Sequence, residues 1–131
     1  MATDHDKERF LHLGEHVMGM LEFLRDLLRD LPIPVVIPEF LGADAPDHDA
    51  IMALDRARDL IEDEPITGPQ KNGHQDLILE WFTAYEMLVL RQMAGPAPWR
   101  LDAAEFAIAR FTVIAEMIES GFIDELGTDE S

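Results

Sequence analysis

Three groups of side chains in this sequence have the types and spacing that chemistry requires. His12, Glu15 and His16 form the string H-x-x-E-H. On a helix, histidines four residues apart share one face, the spacing at which two imidazoles bind a zinc ion, and the glutamate beside them is placed to act as a base. Asp59 with Glu62, and Glu116 with Glu119, each set two carboxylates three residues apart on one helical face. Hard oxygen pairs of that kind hold magnesium and, through it, a substrate's phosphates. Trp81 and Tyr85, with Phe82, Met87 and Met93 nearby, can line a small apolar pocket. Trp99 stands between Pro98 and Arg100 in a short loop, where an aromatic ring is open to a ligand.

Each group also has a plainer reading. His12 and His16 lie beside an apolar seam, where helix-boundary histidines are common. Carboxylate pairs arise readily in a chain with 27 acidic residues among 131. Aromatic residues at helical spacing are usually core. The H-x-x-E-H string resembles the inverted zinc-peptidase motif, which implies His12 and His16 as ligands and Glu15 as base. The resemblance covers five residues, and those enzymes add a further acidic ligand and a much larger fold. The carboxylate pairs are similar in kind to those of all-α nucleoside triphosphate pyrophosphohydrolases, which implies magnesium-dependent cleavage, but the order and spacing differ and no basic cluster accompanies them. Arg9 and His16 resemble the arginine–histidine pair of small helical ribonuclease domains, on a surface of the wrong charge for RNA. Di-iron bundles need paired Glu-x-x-His motifs; Glu8–His12 and Glu15–His16 have other spacings, and His48 and His74 stand at helix beginnings.

Charge narrows the choice. Ten basic residues against 27 acidic ones give a formal net charge of −17. Phosphate backbones and anionic membranes attract clustered Lys and Arg, so neither is the expected partner. A basic protein is the partner such a surface suits, although acidity also serves solubility or a salty cytoplasm. The absence of cysteine removes disulfides and thiol chemistry and fits a reducing cytoplasm. The opening Met1-to-Phe10 stretch is mixed and acidic, so no secretory signal is expected, and no apolar run is long enough to span a membrane.

Four helical segments must position these residues. The first covers residues 6–30, where Phe10, Leu13, Val17, Met20, Leu24, Leu27 and Leu31 form a seam flanked by Leu11, Met18, Leu21 and Leu28. Gly14 and Gly19 interrupt it and suggest a kink or close helix approach. Pro32, Pro34, Pro38 and Pro46 make residues 32–46 an extended connector. The second helix runs from residue 46 or 47 to 64, with a stripe of Ile51, Leu54, Ala57 and Ile61. Its acidic residues Asp55, Asp59, Glu62, Asp63 and Glu64 form the candidate partner-binding face. The last three stand at a helix carboxyl end, where the dipole disfavours them.

Residues 65–73 read as a polar loop, and Asn72 with Gln75 as the box that opens a third helix over 77–93. That helix is apolar nearly all round, hence central. Asp102 with Glu105 predicts the capping box of a fourth helix, stapled by Leu101 and Phe106. Its inner stripe is Ile108, Phe111, Ala115 and Ile118, and it closes at Gly121 with Phe122 folding back on Met117. The expected architecture is all-α: a four-helix, mostly antiparallel bundle forming one domain over residues 1–131, with 1–5 and 124–131 frayed.

The function expected from these features is non-enzymatic: an interaction or regulatory protein that presents an acidic helical surface to a basic partner in the cytoplasm, with no cofactor. The width of the first helix's apolar stripe also allows a homodimer. Two alternatives belong to other classes. One is a metal-dependent enzyme using the carboxylate pairs or His12, Glu15 and His16. The other is a small-ligand sensor built on Trp81, Tyr85 and Trp99.

Overall fold

Apolar side chains spaced three and four residues apart reach a shared interior when the segments that carry them are helical. The computed structural model has four such helices: α1 (Ala2–Arg29), α2 (His48–Glu62), α3 (Gly68–Ala94) and α4 (Pro98–Glu119). The structure describes residues 2–38 and 48–121, and these include no β-strand. The all-α bundle is therefore the fold. Among the described residues no helix is long and apolar enough to cross a membrane.

Helix α3 is central, as its nearly continuous apolar surface requires. It packs against α1, α2 and α4, and most extensively against α4. Small residues allow that closeness: Ala84 of α3 and Ala104, Ala107 and Ala115 of α4 are all buried. Side-chain pairs fix the directions. Asp6 meets Arg91 and Val17 meets Trp81, so α1 runs antiparallel to α3. Glu80 meets Arg110, which with the short link at 95–97 makes α3 and α4 an antiparallel hairpin. Gln75 reaches back to Arg58 and Glu62, giving the same relation for α2 and α3. Lying antiparallel to one shared neighbour, α1 and α4 run in the same direction.

The connector after α1 packs as the sequence suggests. Leu31, Val35 and Ile37 are buried while Ile33 and Val36 face outward. Its backbone is tied down by Val35 N–H donating to Leu28 O at 3.0 Å. Pro46 and the rest of 39–47 lie outside the described residues.

Helix boundaries depart from the sequence reading in physically informative ways. Helix α1 starts at Ala2 rather than near residue 6. Helix α2 buries Ala50, Leu54, Ala57 and Ile61, so Ala50 replaces Ile51 at the head of the stripe. Helix α3 begins a turn and a half early because Thr67, not Asn72, is its cap. Thr67 Oγ1 accepts from Gln70 N–H, and Gln70 Oε1 accepts from Thr67 N–H. Gln75 instead donates to the Arg58 carbonyl at the end of α2. Pro98 opens α4 one turn before the expected box, with Ala97 at the cap position and no side-chain cap. Asp102 and Glu105 are thereby freed to bind Arg9, and Phe106 is 65% exposed rather than stapled to Leu101.

The glycine stops hold: Gly95 (φ 94°) donates to Arg91 O, and Gly121 has φ 79°. Left-handed backbone of this kind favours glycine. The expected Phe122–Met117 contact and the frayed 124–131 end lie outside the described residues.

Candidate functional site

The residues expected to bind a metal sit on the exposed side of α1. His12 and His16 are edge-to-face with ring centroids 6.3 Å apart. Among the described residues, no three His, Asp or Glu side chains are grouped so as to hold an ion. His12, Glu15 and His16 are thus neighbours along one helix without forming a closed ligand set.

The aromatic residues separate into two environments. Trp81 is fully buried, its Nε1–H donating to Val17 O at 2.9 Å, and Tyr85 stacks on it with centroids 5.1 Å apart. That is core packing with its one polar atom satisfied. Trp99 lies in the first turn of α4 rather than in a loop, 58% exposed, under the Arg100 guanidinium. The link to α4 starts about 20 Å along α3 from Trp81 at 1.5 Å per residue, so Trp81, Tyr85 and Trp99 do not line one pocket.

The acidic set on and after α2 is also divided. Asp55, Asp59 and Asp63 are exposed, with Arg56 and Arg58 exposed among them. Glu62 is engaged by Gln75 at 2.8 Å, and Lys71 Nζ donates to its carbonyl. Glu64 does not belong to that surface: it is only 3% exposed, and its Oε1 accepts from Ile33 N–H at 2.9 Å. The carboxylate turns inward to satisfy a donor of the proline-rich connector, which has no ladder or helix to supply an acceptor.

A different surface brings chemistry-bearing residues together. Between α1 and α4 lies an open groove of about 520 Å³ lined by Glu15, His16, Gly19, Met20, Phe23, Phe111, Thr112, Ala115, Glu116 and Glu119. Its floor is apolar: Met20, Phe111 and Ala115 are buried, and Phe23 packs edge-to-face on Phe111 at 5.9 Å. Its rim is acidic and exposed, with Glu15 of α1 toward one end and Glu116 and Glu119 of α4 toward the other. Neither Lys nor Arg lines it. The groove exists because α1 and α4 both lean on α3 and touch each other less extensively than α3 and α4 do.

Arg9 bridges α1 and α4 before the groove begins. Its Nη2 reaches Asp102 at 2.6 Å and its Nε reaches Glu105 at 2.8 Å. Those two hydrogen bonds, Glu105 first, push the guanidinium pKa further above its ordinary value. Arg91 is likewise held by Asp6, and Arg110 by Glu80. Arg9, Arg91 and Arg110 are therefore committed within the chain, whereas no ion pair forms at Glu15, Glu116 or Glu119 among the described residues.

Gly19 is the wall residue with no role inside the chain. A glycine within a helix costs about 1 kcal/mol relative to alanine. A Cβ built there would meet nothing within 4 Å, and the same holds at Gly14. Close approach of another helix of this chain, one expectation for both glycines, is therefore not the reason for them.

Sequence reasoning named Glu15, His16, Glu116 and Glu119 but assigned them to separate motifs. It missed the floor residues and Gly19 as a site. The signal was an eight-residue span with matching spacing on two helices (15, 16, 19, 20, 23 and 111, 112, 115, 116, 119), readable only once α1 and α4 are known to be parallel. No protein-family model matches the chain, and neither does any curated protein or solved structure.

Proposed function

We propose that the protein is a non-catalytic interaction module that binds a basic segment of another protein through the α1–α4 groove. The observation that carries this reading is the excess of negative charge there: three exposed carboxylates over an apolar floor, with His16 beside them and no Lys or Arg among the lining residues. Opposite charges of a partner would be steered to this surface and held beside apolar contact area. The Asp55, Asp59 and Asp63 face of α2 is a weaker candidate, because Arg56 and Arg58 dilute it.

The other readings have less support. A metal enzyme needs converging ligands, and His12, Glu15 and His16 are not so arranged. A sensor pocket at Trp81 and Tyr85 would require opening the core. A homodimer through α1 would use the flanking line, yet Leu21 and Leu28 are already buried within this chain, and each copy carries a net −17.

Titration with an arginine-rich peptide tests the proposal. Glu15→Gln, Glu116→Gln and Glu119→Gln combined should weaken low-salt binding about tenfold, since three exposed charge pairs at about 0.5 kcal/mol each sum to about 1.4 kcal/mol. Asp55→Asn, Asp59→Asn and Asp63→Asn combined should weaken it about twofold or less. Equal losses from the two triple variants would show that net charge, not the groove, governs binding.

A further inference from the structure

We infer that the groove's occupant is an amphipathic helix of the partner, its apolar stripe on Met20, Phe23 and Phe111 and its lysines or arginines toward Glu15 at one end and Glu116 and Glu119 at the other. This inference rests on the docking reading above and adds the form of the ligand.

Shape argues for a helix. The lining residues run from 15 to 23 on α1 and from 111 to 119 on α4, so the trough is straight and about 12 Å long at 1.5 Å per residue, two turns or slightly more. Two parallel helices leaning on a third present the kind of furrow into which a further helix packs, with contacts repeating every three or four residues. Met20 and Phe23 on α1 stand three residues apart and Phe111 and Ala115 on α4 four apart, which is that spacing. An extended peptide would gain its affinity from backbone pairing at a sheet edge, and the described residues contain no strand.

Gly19 supplies an independent argument. It lines the groove, is exposed, and has open space where a Cβ would stand. Small residues at such positions let helix backbones approach closely. Met20 beside it adds a side chain that repacks around varied apolar shapes.

Charge selects among helical occupants. A second copy of this chain would bring a net charge of −17 against an acidic rim. The chain's own segment beyond Gly121 carries Asp124, Glu125, Asp129 and Glu130 and no basic residue, so it is mismatched in the same way. A basic amphipathic helix satisfies floor and rim together.

The test uses the full chain and two synthetic peptides of about eighteen residues, long enough for five helical turns. One places leucines at every third and fourth position among lysines and arginines; the other scrambles the same residues so that no apolar stripe forms. The expected result is at least tenfold tighter binding of the patterned peptide, with a gain of peptide helicity on binding. Gly19→Leu should reduce binding of the patterned peptide about tenfold and leave the scrambled one unchanged. Gly14→Leu, which carries the same substitution outside the groove, should have no effect and so controls for folding. Equal affinity for both peptides, or indifference to Gly19→Leu, would overturn the helical seat while leaving basic-segment docking intact. Failure of both peptides to bind at low salt would overturn both.

Discussion

The indole N–H of Trp81 donates to the carbonyl of Val17 at 2.9 Å, joining the middle of α3 to the middle of α1. Trp81 is fully buried, so this is its indole's route to satisfaction. Trp81→Phe removes the donor and leaves a small void, and should lower stability by about 1–3 kcal/mol. A reduced urea midpoint with unchanged slope would verify it. An unchanged midpoint would mean the contact does not hold α1 in place.

Glu64 offers a sharper contrast. Glu64→Gln keeps an oxygen able to accept from Ile33 N–H and should change stability by less than about 0.5 kcal/mol. Glu64→Ala removes the acceptor and should cost about 1 kcal/mol or more. Asp63→Asn, one residue away and exposed, should be silent. Thermal unfolding of the three variants separates a structural role for Glu64 from a surface one.

The bundle itself was legible in the sequence because burial follows the three-four spacing. Leu13, Val17, Met20 and Leu24 of the three-four seam are buried, and so are Leu21 and Leu28 of the line beside it. Position-specific polar contacts were not legible. Thr67 and Asn72 each stand three residues before a glutamine, and only the three-dimensional path decided which pair closed the box. The inward turn of Glu64 depends on where the connector passes, and the groove depends on the direction of α4 relative to α1. Periodicity specifies neither. The carboxylates of the groove were visible as spaced pairs, but their relation across two helices was not.

Helix propensity gives a prediction at the two bare positions of α1. Gly14→Ala and Gly19→Ala add a Cβ into open space and should each stabilise the protein by about 0.5–1 kcal/mol. Gly95→Ala, at φ 94°, should destabilise it by about 1 kcal/mol. Denaturation midpoints that move the other way at Gly14 or Gly19 would reveal a packing role that the geometry does not show.

Arg9 links stability to the groove's potential. Its pairs with Asp102 and Glu105 are partly exposed to solvent, so Arg9→Gln should cost less than about 1 kcal/mol. The same change frees two carboxylates on α4 ahead of the groove. Binding of an arginine-rich peptide should tighten about two- to threefold at low salt, and the gain should vanish as added salt screens it. A loss of affinity would place Arg9 among the groups that contact the partner.

The docking surface is tested most directly by mapping backbone amide shifts in the full chain during titration with an arginine-rich peptide. The account predicts that the perturbed amides concentrate at Glu15, His16, Gly19, Met20 and Phe23 on α1 and at Thr112, Glu116 and Glu119 on α4. Shifts concentrated at Asp55, Asp59 and Asp63, or spread evenly over the acidic surface, would contradict it.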